Sequence, residues 1–339
     1  MTTEMKFEKK WGMKPIQLQA WREEGAVGRV LLSSHGIYSV ATAEGIVKTK
    51  VKGKFEYEAR SAEVFPAVGD WCKLDEGNRI VEVLPRSSML ARKVAGLKSD
   101  LQIIASNIDV LFICMSLNHD YNLRRLERYL AIAGESGAEV VVLLTKADLS
   151  PPEEYITEIK NLGGGYEVIP VSLVSGLGLE DFKNWAIPGN TCAFVGSSGV
   201  GKSSLMNALM GEEHFEVGGL RNDDKGRHTT TFRELQMLDD GVMLIDTPGM
   251  REIQLTGDEG FSDAFGDIEE LAENCKFRDC SHTNEPGCAV WAAIDEGDID
   301  YDRLKSWNKM KSEARIAASR QRQKEKAAEK RARRYNSKR

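Results

Sequence analysis

One octapeptide constrains this chain more than any other stretch. Gly196-Ser197-Ser198-Gly199-Val200-Gly201-Lys202-Ser203 has the spacing G-x-x-x-x-G-K-[ST]. It follows the apolar run Thr191–Val195 and precedes a helix-like segment, Ser204–Met210. A strand, a glycine-rich turn and a helix N-terminus in that order make a cradle for phosphate oxygens. The glycines let successive N–H groups curl around an anion without Cβ clashes. Lys202 is then placed to reach the β- and γ-phosphates, and the Ser203 hydroxyl to ligate Mg²⁺.

Such a loop belongs on a mostly parallel sheet covered by helices, and the surrounding pattern agrees. Asp109–Cys114, Val140–Leu144, Tyr166–Val171, Phe232–Leu238 and Val242–Ile245 read as further strands. Leu123–Ser136 has helical spacing of its apolar residues. Upstream, Gly28–Leu32, Ile37–Ala41, Ile46–Val51, Asp70–Leu74 and Arg79–Leu84 are short β-rich runs separated by turn signals. Five such strands fit a small barrel, with an OB-fold leading and an SH3-like barrel close behind. Residues 1–25 read as a flexible arm, and Pro85–Ser88 as a linker. The expected division is therefore arm 1–25, barrel 26–88, α/β nucleotide domain 89–255, and a mainly α module with a basic helical tail over 256–339.

A base-reading element precedes the phosphate loop. Thr145-Lys146-Ala147-Asp148 matches the [NT]-K-x-D motif with which GTPases read guanine. Asp148 would accept from guanine N1–H and the 2-amino group, donors that adenine lacks in that arrangement, so an ATP-using enzyme is disfavoured. The Lys146 stem would lie over the base. Ser172-Leu173 matches the element whose backbone meets the guanine carbonyl. After the loop come Thr229 and Thr230, of which Thr230 is the expected Mg²⁺ ligand and Thr229 the alternative. Asp246 and Gly249 of Asp246-Thr247-Pro248-Gly249 follow, for water on Mg²⁺ and for the γ-phosphate. With the base reader ahead of the phosphate loop, the domain is circularly permuted, its old termini joined through about residues 177–190. The expected nucleotide contacts are Thr145, Lys146, Ala147, Asp148, Ser172, Leu173, Gly196 through Ser204, Thr229, Thr230, Asp246 and Gly249.

Cys275-x4-Cys280-x-His282-x5-Cys288 supplies a Cys₃His set, a standard tetrahedral structural zinc site. A disulfide pair or reactive thiols are the alternatives, disfavoured by a chain with six cysteines and no oxidising framework. Cys72, Cys114 and Cys192 lie inside strand-like runs and read as buried hydrophobes.

Charge adds a partner class. The net charge is −6, yet residues 310–339 hold 12 Lys/Arg against 3 Asp/Glu. A basic tail on an acidic body suits a polyanion, or is a solvated helix end. Lys48, Lys50, Lys52 and Lys54 recur with period two, which on one strand would align them along a phosphate backbone; a lysine-guarded sheet edge is the other reading. The longest apolar runs are too short to span a bilayer, and no signal peptide is visible, so a cytoplasmic chain without membrane partners is expected. No dimer seam is visible, and a monomer is expected.

Taken with the phrases GSSGVGKSS, GRHTTT and DTPG and the cysteine–histidine spacing, the chain resembles the RsgA family of circularly permuted small-ribosomal-subunit biogenesis GTPases. The resemblance covers nearly the whole chain. It implies an N-terminal OB-fold, GTP hydrolysis to GDP stimulated by the small subunit, late subunit maturation, structural zinc, and contacts to ribosomal RNA by the outer domains. Thr145 stands where Asn is commoner in GTPases, and Met250 where many carry a water-orienting Gln. His228 is the candidate to orient water in its place, against a role in packing or RNA contact. The competing reading is a GTP-gated RNA-binding factor in which hydrolysis is incidental.

Overall fold

The computed structural model describes residues 6–22, 24–59, 61–93, 101–211, 234–245, 261–283, 285–312, 315 and 319. Five strands, β1 (Ala26–Ser34), β2 (Ile37–Thr42), β3 (Gly45–Thr49), β4 (Trp71–Leu74) and β5 (Ile80–Val83), form an antiparallel sheet in the order β3-β2-β1-β4-β5. Beyond β3 the chain meets β5 through a parallel Val51–Ile80 bridge. Val30, Tyr38, Val40, Cys72, Leu74 and Ile80 fill the interior, as period-two patterning requires.

The nucleotide domain is built on six strands: β8 (Val110–Ser116), β9 (Glu139–Thr145), β10 (Glu167–Val171), β11 (Thr191–Gly196), β12 (Leu235–Met237) and β13 (Met243–Ile245). Their order is β10-β9-β8-β11-β13-β12, parallel throughout except for β12. The expected α/β core is present. Its strands are apolar at consecutive positions because both faces are covered. Leu111, Ile113 and Met115 face the layer of α4 (Leu123–Gly134). Val110, Phe112 and Cys114 face Phe182 of α6 (Leu179–Lys183) and Leu205 of α7 (Lys202–Met210). The Phe112 ring lies 5.1 Å from that of Phe182 and 5.0 Å from that of Phe194. Each such buried ring stabilises the fold by about 1.5–3 kcal/mol. Helix α5 (Glu153–Lys160) flanks β10, and α8 (Phe261–Glu273), kinked at Phe265, packs on α4.

The N-terminal segment differs from expectation. Residues 7–21, expected to be a flexible arm, form α1 (Phe7–Lys10) and α2 (Pro15–Trp21). The apolar residues Phe7, Trp11, Met13 and Trp21 of this segment pack on Trp71 and Leu84 of the barrel. Gln17, fully buried, donates to Pro85 O and Asn107 Oδ1, both at 2.9 Å. These helices fill the seam between barrel and nucleotide domain. Arg29 of β1 crosses the same seam. It donates to Trp11 O, to Asn107 O at 3.2 Å, and to Thr191 Oγ1 at 2.8 Å. Burial pulls its guanidinium down to about 10, although Asp109 and Asp70 act in the opposite direction.

Residues 85–88 are not a free linker. Arg86 grips the Asp70 carboxylate at 2.7 and 2.8 Å, and Ser88 Oγ donates to Ile108 O at 2.6 Å. An antiparallel pair of β6 (Met89–Lys93) and β7 (Leu101–Ser106) follows, where the sequence suggests no strand pair. The four-lysine row is also broken. Strand β3 stops at Thr49, and α3 (Gly53–Glu58) starts just after Lys52, so only Lys48 of the four lies on the strand. Lys52 is paired with Asp75 at 3.3 Å.

The C-terminal module continues from α8 through a turn-rich segment into α9 (Ala289–Glu296) and α10 (301–312), and is mainly helical among the described residues. No described helix is long and apolar enough to cross a membrane.

Candidate nucleotide and metal sites

The parallel pairing of β8, β9 and β11 sets their C-terminal ends side by side, and the two candidate motifs occupy those ends. In the phosphate loop Gly196, Gly199 and Gly201 have φ of 149°, 77° and 107°. Gly196 is required twice over, because a Cβ there would sit 2.5 Å from Cys114 O. Val200 is buried beneath the loop, whereas Ser198 and Gly199 are exposed. Lys202 Nζ folds back onto Gly196 O at 2.9 Å and Ser197 O at 2.7 Å. Ser203 and Ser204 lie half-buried in the first turn of α7.

The base-reading motif touches this loop directly. Thr145 Oγ1 donates to Val200 O at 2.6 Å, and Lys146 Nζ to Gly199 O at 2.9 Å. Thr145 thus ties the two motifs together despite being shorter than Asn. Lys146 has φ of 57°, a left-handed conformation uncommon for a side chain of its kind. The Ala147 amide donates to Val171 O at 3.2 Å, which locks the motif to β10. Asp148 points to solvent, and Ser172 Oγ donates to its Oδ1 at 2.5 Å. That hydroxyl leaves Oδ2 for a ligand donor and fixes the plane of the carboxylate. Leu173, 42% exposed, lies on the same rim. The structure therefore brings together Thr145 through Asp148, Ser172, Leu173 and Gly196 through Ser204.

His228, Thr229, Thr230, Asp246 and Gly249 lie outside the described residues. Strand β13, which leads into Asp246, pairs directly with the phosphate-loop strand β11. Lys48, Lys50, Lys52 and Lys54 are on the barrel and contribute nothing to the phosphate cradle.

One contact escaped the sequence reading. Ser197 Oγ donates to Asp120 Oδ2 at 2.5 Å. Asp120 matches no motif, and only the adjacency of β8 and β11 brings it near the loop.

The second cluster is formed by Cys275, Cys280, His282 and Cys288, whose ligand atoms all lie within 4.8 Å of one another. His282 Nδ1 is 3.6 Å from Cys275 Sγ and 3.4 Å from Cys288 Sγ, and those two sulfurs are 3.9 Å apart. Tetrahedral Zn–S bonds of about 2.3 Å require S–S separations of about 3.8 Å, so the set fits a four-coordinate metal. Three sulfurs and one imidazole suit a soft or borderline ion. Burial pushes the Cys275 thiol up, but hydrogen bonds from the N–H groups of Ala289 and Val290, together with the Cys288 and Cys280 side chains, outweigh it and hold the thiol below its ordinary value. Trp291 Nε1 donates to His282 O at 3.0 Å, and the His282 ring packs edge-on to Trp307 at 5.2 Å. The remaining cysteines are buried hydrophobes: burial pushes the Cys114 and Cys192 thiols up to about 12.

Comparison with known proteins agrees with this geometry. The family model described as RsgA GTPase matches residues 83–256. Small ribosomal subunit biogenesis GTPase RsgA 2 of Vibrio vulnificus (strain CMCP6) is 49% identical over 271 residues, 79% of this chain and 78% of its own. The protein of the same name from Lactiplantibacillus plantarum is 45% identical over 320 residues, 92% of this chain and 90% of its own. The crystal structure of YjeQ from Thermotoga maritima superposes with a TM-score of 0.59 at 26% identity, covering 84% of this chain and 96% of that one. YloQ, described as a circularly permuted GTPase, shares the fold with a TM-score of 0.57 at 22% identity, covering 87% and 97%. With its base reader docked on a phosphate loop that follows it in the chain, this protein belongs to the RsgA GTPase family and is a GTP hydrolase with a circularly permuted nucleotide domain.

Proposed function

We propose that this chain hydrolyses GTP to GDP and phosphate during late maturation of the small ribosomal subunit, and that the subunit stimulates turnover. The observation that carries the reading is the docking of Thr145 and Lys146 onto Val200 and Gly199, which joins guanine reading to phosphate binding in one site. The relatives named as small ribosomal subunit biogenesis GTPases supply the biological setting.

In this reading Asp148 and Ser172 with Leu173 hold guanine, and Gly196 through Ser204 hold the phosphates. Mg²⁺ carried with GTP would be held by Ser203 and Thr230, with Asp246 and Gly249 completing the γ-phosphate side. His228 would accept a hydrogen bond from the attacking water, a task Met250 cannot perform. The module ligands Cys275, Cys280, His282 and Cys288 would hold zinc as a structural cross-link with no open position.

The N-terminal domain, over about residues 26–88, is of OB type in this reading. Support comes from the strand order, the β3-to-β5 bridge and the helix between β3 and β4. Ribosomal RNA would meet the barrel at Lys48 and Lys50, and the basic tail beyond residue 310. The protein would act as a cytoplasmic monomer.

GTP turnover by the purified chain, alone and with small subunits, large subunits or naked RNA, tests the proposal. Stimulation confined to small subunits is the expected result. No stimulation, with nucleotide-dependent subunit binding retained, would instead favour a GTP-gated RNA-binding factor.

A further inference from the structure

We propose that Asp120 is a positioning residue for nucleotide binding, acting on the phosphate loop through the hydroxyl of Ser197; this rests on the GTP-binding reading above. Ser197 is the second residue of the loop and is 7% exposed, with its hydroxyl spent on Asp120. The carboxylate lies six residues beyond Cys114, the register partner of Gly196, so the exit loop of β8 meets the phosphate loop by topology.

Asp120 is itself held on several sides. Its amide donates to Asn118 Oδ1 at 3.0 Å, and that oxygen also accepts from Ser116 Oγ at 2.8 Å. Arg125 Nη2 is 3.0 Å from Asp120 Oδ2 and also donates to the Asp120 carbonyl. Arg125 is in turn fixed in the first turn of α4, where its amide donates to Asn122 Oδ1 at 2.9 Å. Burial pushes the Asp120 carboxyl up, but Ser197 and Arg125 outweigh it and hold the group below the usual carboxylate range.

A negative charge beside an anion cradle opposes polyphosphate unless something offsets it, and here Arg125 does. What remains is a charge-assisted anchor, stronger than a neutral hydrogen bond. The loop needs one. Three of its residues are glycines at positive φ, the conformationally freest kind. Thr145 and Lys146 hold its fourth and fifth residues from the β9 side, and Asp120 holds its second from the β8 side. A loop held from two neighbouring strands loses less freedom when phosphate arrives.

The test is a double-mutant cycle on the full chain with Asp120→Ala, Ser197→Ala and both together, plus Asp120→Asn. Binding of GTP and GDP is titrated, guanosine is followed by competition, and thermal unfolding is recorded for each variant. Each alanine is expected to weaken GTP and GDP about tenfold. The double variant should be no weaker than either single, guanosine affinity and the unfolding midpoint should hold, and Asp120→Asn should recover most of the loss. Additive losses, an equal loss of guanosine, or tighter binding by Asp120→Asn would overturn the proposal. If the parent chain bound neither GTP nor guanosine, the nucleotide-site reading itself would fail.

Discussion

Arg303 of α10 donates to the buried Glu127 carboxylate of α4 at 2.6 Å, joining helices 176 residues apart in the chain. Arg303 also grips Asp267 at 2.7 and 2.8 Å and stacks over Phe265 at 5.0 Å, while Arg124 reaches the same Glu127 oxygen. Removing one partner of a buried pair strands the other charge. Arg303→Met should therefore destabilise the protein by about 3 kcal/mol, because Arg124 only partly compensates Glu127. Arg303→Met combined with Glu127→Leu should be milder. Urea unfolding of the three proteins measures both effects.

Thr145→Val deletes the hydroxyl that joins base reader to phosphate loop and keeps the side-chain volume. The loss of one hydrogen bond, about 1 kcal/mol, should weaken GTP binding roughly fivefold. Thr145→Asn should recover part of it. Unchanged affinity in the valine variant would mean that the Thr145 bond does not organise the site.

Asp148→Asn reverses the chemistry offered to the base. An amide cannot accept both guanine donors, but it can donate to a 2-carbonyl. GTP affinity should fall on the order of 100-fold and xanthosine triphosphate affinity should rise, as competition binding would reveal.

Asp75 gives an acid-range prediction. The Arg79 amide, aided by the Lys52 and Arg79 side chains, pulls its carboxyl from 3.8 to about 2. A carboxylate favoured in the folded state contributes stability above its unfolded pKa, and that contribution is lost as pH falls through the folded value. The Asp75 share should thus be complete above pH 4 and vanish toward pH 2. Asp75→Asn should flatten the acid limb of a stability–pH curve and leave the neutral-pH shape unaltered.

Metal removal tests the C-terminal cluster. Cys280→Ser, or chelation of the parent chain, should release the metal and loosen the packing of Trp291 and Trp307, visible in tryptophan fluorescence. Binding energies of zinc at such sites are about 10–16 kcal/mol, so the module should lose its cooperative unfolding. A variant with no bound metal and an unchanged spectrum would remove the structural role.

The sequence made the sites more legible than their supports. The phosphate loop, Thr145–Asp148 and the cysteine–histidine set could be read because each needs fixed residue types at short spacing. The sheet strands could be read because burial on both faces leaves long apolar runs. Trp11, Gln17 and Trp21 look locally like part of a flexible arm, since the surface they fill is supplied by Trp71 and Asn107 far along the chain. Arg29 looks like an ordinary strand residue until Thr191 and Asn107 are brought against it. The lysine row failed for a local reason. A period-two pattern specifies one face only while the strand lasts, and α3 begins at Gly53. Asp120 had no local signal, because its partner is defined by which strands are neighbours.

The sheet order also bears on how the protein is made. Strands β8, β9 and β10 are consecutive in the chain and adjacent in space, and β11 adds to the open edge of β8. A nascent chain therefore emerges with the half that carries Thr145–Asp148 already able to pair, its free edge waiting for Thr191–Gly196. The pocket closes only when Val200 arrives to meet Thr145. Until then the unpaired β8 edge is a site for wrong pairing during synthesis.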